Sequence, residues 1–376
     1  MEETFRKRLK KAKNVLVKVG TSTLTYPSGK LNLNYIERIV RELADLKNQG
    51  KEVVLVSSGA IGAGLGKLGF KKKPKTTPEK QAIAAVGQGM LIQVYEKVFS
   101  EYGHTVAQLL LTRDDLVNRQ RYVNARNTLT TLLKFGVIPI INENDTVSVD
   151  EIEFGDNDNL SALVASLIDV DLLINLSDID GLYTANPHKD SDAELITFVP
   201  DITGEIENLA TSTCGTLGTG GMRAKLQAAK ISVCSGVPMV IANGQKPGVI
   251  HDIINGKKVG TLFLPKEKPM HSRKRWIAFG LTVQGTLCVD SGAKKAVVRD
   301  GKSLLPSGVL EVEGSFERGE TVCIADEDGI VFARGLVNYP SRDLIKIKGL
   351  RSSNILEVLG EKGESEVVHR DNLVII

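Results

Sequence analysis

Short aliphatic and β-branched runs alternate with longer amphipathic stretches along the first two-thirds of the chain. Residues 14–19 (NVLVKV), 52–58 (EVVLVSS), 105–112 (TVAQLLLT), 137–142 (VIPIIN), 171–178 (DLLINLSD) and 238–243 (PMVIAN) have the length and composition of buried strands. Between them, residues 34–49, 78–101, 124–135 and 221–234 carry helical patterns. Gly50, Gly136 and Gly236 fall at or near the ends of three of these, where helices commonly stop. Thr77 reads as the N-cap of the second, with Pro78 at its first helical position. Strand–helix–strand repetition predicts an α/β fold with a mainly parallel sheet and helices on both faces. In such sheets ligands bind beyond the carboxyl ends of the strands.

The pattern changes after residues 259–265 (VGTLFLP). Residues 266–275 (KEKPMHSRKR) are polar, basic and interrupted by proline, as a linker or clamp would be. Beyond residue 280, runs such as GTLCVD, KAVVRDG, GVLEVEGSF, ETVCIADEDG, IVFARGLVNY and EVVHRDNLVII alternate with glycine turns. They predict a small all-β barrel. The expected division is therefore 1–264, a linker at 265–284, and a β domain at 285–376.

Bulk composition adds boundaries. With 376 residues, 42% hydrophobic and 25% charged, the chain has material for two globular domains and a sizeable core. Its net charge of +3 says little about partners. The four cysteines, at 214, 234, 288 and 323, form no CxxC pair or zinc-type cluster and suit a reducing cytosol. The basic N-terminus has only three apolar residues before Lys18, too few for a signal peptide. No run reaches the roughly 18 apolar residues of a membrane span. The expected location is the cytoplasm.

GLGKLG (64–69) matches GxGxxG, but it does not directly follow a strand and it runs into FKKKPKTTP, which cannot open a helix. DGKS (300–303) lacks the upstream glycine of a Walker loop. Glycine-rich strand ends remain. In VKVGTS (17–22), Lys18 sits inside an apolar strand, a costly place unless an anion pairs with it; the alternative is a snorkelling edge lysine. VSSGAIGAG (56–64) either lets the backbone close on a ligand or is simply a tight turn. In GTGGMRAK (218–225), Gly220 and Gly221 precede a helix that carries Lys225 near its start, a natural phosphate cradle, although a surface lysine is the plain alternative. LSDIDGLYTANP (176–187) is a loop leaving a buried strand. Two lysines on different strand ends with glycine N–H groups suit phosphoryl transfer, which depends on positioning and positive charge. Five histidines, none paired with a nucleophile candidate, argue against a catalytic triad.

The most concentrated polar feature is GDNDNL (155–160), ahead of the helical run LSALVASLI. It reads as a helix cap, a cation loop or a substrate-binding edge. The cation loop fails on spacing: counted from Asp156, the sixth and twelfth positions are Ser161 and Leu167, where a calcium loop needs Gly and Glu.

VKVGTS, VSSGAIGAG, NENDTVS, FGDNDNLSA, LSDIDGLYTANP and GTGGMRAKLQAA occur in this order. Together they resemble the glutamate 5-kinases, a branch of the amino acid kinase family, over essentially the whole chain. The C-terminal region resembles a PUA domain. The resemblance implies an open αβα sandwich and ATP-dependent phosphorylation of the side-chain carboxylate of L-glutamate, giving glutamyl 5-phosphate at the entry to proline biosynthesis. Position by position, it implies that Lys18 and Lys225 neutralise the transferring phosphoryl group and that Asp158 holds both lysines. Ser58, Asp145 and Asn157 would bind glutamate. Lys18, Ser177, Asp178, Thr219, Gly220, Gly221, Met222, Arg223, Ala224 and Lys225 would contact ATP, with Mg²⁺ carried by its phosphates and no protein metal site. Asn159 is left as the helix cap. The resemblance further implies feedback inhibition by proline, a homo-oligomer (dimer or tetramer) and hand-over of product to a glutamyl phosphate reductase.

One position departs from the pattern: Ala224 stands where relatives usually carry a hydroxyl residue before the motif's lysine. Arg223 either adds charge near the phosphates or is an exposed helix arginine. Two rival functions stand against this one. Acetylglutamate and uridylate kinases usually lack the NEND and GDNDN pair and the PUA domain. RNA binding is disfavoured by charge, because residues 281–376 carry 12 Lys and Arg against 15 Asp and Glu. The linker stretch 265–280, with five basic residues and one acidic, is the exception.

Overall fold

A computed structural model describes residues 1–26, 28–70, 74–147, 157–187, 190–212, 221–266, 274, 277–278, 283–360 and 363–376. The chain forms two compact units, residues 1–269 and 270–376. The expected linker, 265–284, lies mostly outside the described residues.

The first unit opens with helix α1 (Glu2–Leu9), strand β1 (Asn14–Val19) and a single helical turn, α2 (Thr21–Leu24). Then come α3 (Leu33–Asn48), β2 (Glu52–Ser57), α4 (Ala60–Leu68), α5 (Thr77–Glu101), β3 (Val106–Leu111), α6 (Arg113–Val117), α7 (Arg119–Lys134) and β4 (Ile138–Glu143). After α8 (Asn157–Leu167) and β5 (Leu172–Ser177) the chain makes three two-residue strands: β6 (Leu182–Tyr183), β7 (Leu195–Ile196) and β8 (Phe198–Val199). It continues through α9 (Gly204–Ser212), α10 (Met222–Cys234), β9 (Met239–Asn243), α11 (Val249–Ile254) and β10 (Thr261–Phe263).

Eight strands form one sheet in the order β3-β4-β2-β1-β5-β9-β10-β8. Its pairs are parallel except β9–β10. This is the mainly parallel α/β sheet that the alternating pattern predicts. Side-chain alternation divides β1 between two layers. Val15, Val17 and Val19 join the core beside Ile36, Leu43 and Leu46 of α3 and Tyr95 and Phe99 of α5. Leu16 and Lys18 therefore face the opposite layer, where α8 packs on β1, β2, β4 and β5 and α10 packs on α8.

Local signals explain most boundaries. Asn32 caps α3, its Oδ1 accepting from Tyr35 N at 3.1 Å. The cap of α5 is Thr76, not Thr77: its Oγ1 accepts from Glu79 N at 3.4 Å, and Glu79 Oε2 accepts from Thr76 N at 3.2 Å. That reciprocal pairing decides between the two threonines, and Pro78 still falls in the first turn. The helix expected at 124–135 starts earlier, at Arg119, because Asn118 Oδ1 accepts from Gln120 N and Arg121 N. The run VSSGAIGAG becomes a strand-to-helix turn. Gly59, at φ +100, opens α4, and Gly64 lets α4 lie directly on α5. GLGKLG falls within α4 and its end rather than at a nucleotide turn.

The second unit has β11 (Val283–Val289), α12 (Ser291–Val298), β12 (Val309–Gly314), β13 (Thr321–Ala325), β14 (Val331–Leu336), α13 (Ser341–Ile347), α14 (Ile355–Leu359) and β15 (Leu373–Ile375). Its five-stranded sheet runs β12-β11-β13-β14-β15, with only β11–β13 parallel. KAVVRDG, expected as a strand, instead ends and follows α12. Asp290 caps that helix by accepting from Ala293 N at 2.7 Å, and the cap overrides the β-branched valines.

Candidate active site

The centre of the site is a buried carboxylate shared by two lysines. Lys18 of β1 lies in register with Asn175 of β5, so both side chains rise on the α8 face of the sheet. Asp158, in the first turn of α8, is 0% exposed and meets them there. Its Oδ1 pairs with Lys18 Nζ and accepts from Asn175 Nδ2 at 2.8 Å. Its Oδ2 accepts from Lys225 Nζ of α10 at 3.1 Å. Both lysines are themselves buried. Neither is a snorkelling or surface lysine, so the structure removes both plain alternatives.

The electrostatics follow from this geometry. Burial by itself raises the pKa of Asp158, but the Lys18 and Lys225 ammonium groups more than reverse it. With the Asn175 amide they hold the carboxyl well below the usual carboxylate range. Among the described side chains two cations share one carboxylate here, an arrangement that suits an anionic ligand.

A second network begins one residue earlier. Asn157 Nδ2 donates to Ser58 Oγ at 2.8 Å and to Asn142 Oδ1 at 3.0 Å. Asn142 Nδ2 donates to Gln88 Oε1 at 2.7 Å. Ser58 directly follows β2, its backbone N–H donating to Val19 O at 3.1 Å. Behind it, Ser57 Oγ and Tyr95 Oη lie 2.9 Å apart and Ser57 Oγ donates to Ser58 O at 3.0 Å. The structure thus brings Ser58 and Asn157 together. Asp145 stands in the turn after β4, half-buried, its carboxyl pushed up to about 6 by burial.

The nucleotide candidates are only partly described. Ser177 ends β5, buried, with its Oγ donating to exposed Asp178 Oδ1 at 3.0 Å. Thr219 and Gly220 lie outside the described residues. Gly221 occupies the N-cap position of α10, Met222 is buried, Ala224 is partly exposed and Arg223 is exposed. Arg223 has no ion pair among the described residues.

Asn159, expected as the cap of α8, is instead inside the first turn. The described part of α8 begins at Asn157, and the side chains of Asn157 and Asp158 reach tertiary partners. Residues 148–156 lie outside the described residues.

Sequence reasoning missed Asn175, Asn142 and Gln88. The first carried a signal equal to that of Lys18: an amide inside an apolar strand, DLLINLSD. Asn142 ends an apolar strand in the same way. Gln88 gave none, because a glutamine within a helix is ordinary.

The family described as "Amino acid kinase family" matches residues 13–243, and the PUA domain matches residues 285–359. A glutamate 5-kinase of Moorella thermoacetica is 54% identical over 375 residues, covering 100% of this chain and 99% of that protein. One of Thermoanaerobacter pseudethanolicus is 56% identical over 362 residues, covering 96% and 97%. One of Carboxydothermus hydrogenoformans is 54% identical over 373 residues, covering 99% and 100%.

Proposed function

The chain belongs to the amino acid kinase family, and from that premise we propose that it phosphorylates the side-chain carboxylate of L-glutamate with ATP, giving L-glutamyl 5-phosphate for proline biosynthesis. The observation that carries this reading is the Lys18–Asp158–Lys225 cluster set beside the Asn157–Ser58 pair at the carboxyl ends of β1, β2 and β5.

The chemistry needs no general base. A glutamate side chain, with a pKa of about 4.3, is already a carboxylate at neutral pH. The obstacle is repulsion between that nucleophile and the triphosphate. Lys18 and Lys225 offset it with two positive charges delivered from opposite elements, and Asp158 keeps both ammonium groups in place before ATP arrives. Preorganised charge of this kind lowers the barrier without reorganisation during the reaction. Asn157, Ser58 and Asp145 orient the acceptor. Ser177, Asp178 and residues 219–225 hold the nucleotide, with the backbone at the start of α10 facing the phosphates. The paired lysines of the cluster suit a polyanionic nucleotide; Mg²⁺ bound with it would supply further charge neutralisation. Ala224 leaves that position without a hydroxyl contact to the nucleotide.

This reading brings four further proposals: a homo-oligomer, inhibition by proline, a cytoplasmic setting and transfer of the labile acyl phosphate to a glutamyl phosphate reductase. The test is an ADP-release assay with glutamate, acetylglutamate and UMP, run with and without proline. Glutamate-dependent turnover is expected. Turnover with acetylglutamate or UMP but not glutamate would overturn the assignment.

A further inference from the structure

We propose that Gln88 is a positioning residue of the acceptor site, acting through Asn142 to fix which end of the Asn157 amide faces the substrate. The inference rests on the glutamate reading above.

The argument follows the donors. An amide side chain has an accepting oxygen and a nitrogen with two hydrogens to donate. Gln88 Oε1, on α5, takes a hydrogen bond from Asn142 Nδ2 at 2.7 Å. That turns the Asn142 oxygen toward its other neighbours, where it accepts from Glu143 N at 2.8 Å and from Asn157 Nδ2 at 3.0 Å. Asn157 Nδ2 spends its second hydrogen on Ser58 Oγ at 2.8 Å. Both donors of Asn157 are then used. Its Oδ1 is buried and has no hydrogen-bond partner among the described residues. Gln88 and Asn142 are also buried, with 8% and 2% of their surface exposed, so water does not easily substitute for either partner.

A buried amide oxygen without a donor is unfavourable and marks a place where a donor belongs. Glutamate offers one kind of donor: its two carboxylates only accept, whereas its ammonium donates. The relay therefore presents an acceptor to the substrate ammonium. If Asn142 turned over, Asn157 would lose its oxygen partner and its nitrogen would be free to rotate toward the ammonium, donor against donor. Glu143 N opposes that flip from one side and Gln88 from the other. Gln88 never touches the substrate in this arrangement.

Two variants of the full-length enzyme test this. Gln88→Met removes the acceptor at nearly constant volume; Gln88→Glu keeps the acceptor. Gln88→Met is expected to raise KM for glutamate about fivefold or more, the scale of one lost hydrogen bond, with kcat and KM for ATP within twofold. Gln88→Glu is expected to stay within twofold of wild type throughout. Inhibition by glutarate, which lacks the ammonium, should be unchanged in both. An unchanged glutamate KM in Gln88→Met, equal rises for glutamate and ATP, equal weakening of glutarate, or a fivefold rise in Gln88→Glu would each overturn the proposal. Wild-type enzyme without glutamate-dependent ADP release would instead overturn the reading on which it rests.

Discussion

Replacing Asp158 with asparagine would isolate the charge at the centre of the site. Asparagine keeps the shape and one accepting oxygen, so the change creates no cavity. It does remove the negative charge shared by Lys18 and Lys225, both of which are buried against it. Breaking a buried ion pair from one side costs about 3–5 kcal/mol, because the remaining charge stays desolvated. Here the change withdraws the carboxylate from both ammonium groups, so we expect a loss within that range without nucleotide. ATP would restore part of the loss by supplying the missing negative charge. Urea denaturation with and without a non-hydrolysable ATP analogue reads both quantities, and steady-state assays read kcat. We expect kcat to fall by about 10²-fold or more, the scale of a disturbed preorganised stabiliser. The pH dependence has a definite sign. The folded pKa of Asp158 is depressed, so its contribution is fully present above the unfolded value of about 3.9 and is lost only as pH falls further, through the folded value. The difference in stability between wild type and Asp158→Asn should therefore be flat from pH 5 to 8. A loss below about 1 kcal/mol with kcat within threefold of wild type would refute the claim that this carboxylate holds the lysines.

Three further outcomes are expected. Lys225→Ala should lower kcat by about 10²-fold, and a change under threefold would remove it from the transfer step. In the proposed reading Asp145 helps to bind glutamate as a carboxylate; because burial pushes its pKa up to about 6, kcat/KM for glutamate should fall as pH drops through 6, and an acid limb that persists in Asp145→Asn would assign that titration elsewhere. A Cβ at Gly87 would sit 1.7 Å from Ala60 O, whereas one at Gly89 meets nothing within 4 Å; Gly87→Ala should thus cost about 1–3 kcal/mol while Gly89→Ala is neutral or stabilising, and equal denaturation midpoints would contradict the close α4–α5 packing.

What was legible in the sequence follows the range of the interactions. Strands and helices are set by near neighbours, so apolar runs, caps and glycines located most of them. Lys18 was legible because a cation in an apolar strand needs an explanation. Lys225 was legible from its place after a glycine pair. The amide relay was not, because its partners lie far apart in sequence: Gln88 and Asn142 are 54 positions apart, and Ser58 and Asn157 are 99. No local pattern encodes such a pairing. The misplaced cap at Asn159 has the same cause. Taken alone, GDNDNL offers several capping residues, and only the tertiary partners of Asn157 and Asp158 show that the helix has already begun.

The first described turn of α8 also accounts, in the proposed reading, for the closeness of the acceptor and phosphoryl sites. Successive helical residues point in directions roughly 100° apart. Asn157 therefore turns toward Ser58 after β2 and Asn142 of β4, while Asp158 turns toward Lys18 of β1, Asn175 of β5 and Lys225 of α10. Because α8 lies across β1, β2, β4 and β5, a one-residue step along its first turn moves from one network to the other. In the proposed reading this sets the carboxylate acceptor beside the two cations that offset its repulsion from the phosphate. A single rigid element sets that separation, which loops alone would define less well. The parallel register of β1 with β5 supplies the other coordinate, since it places Lys18 and Asn175 under the same carboxylate. The hydrogen bonds and ion pairs described for the two networks share no side chain, so in the proposed reading acceptor binding and charge stabilisation should respond separately to substitution even though Asn157 and Asp158 are consecutive in the chain.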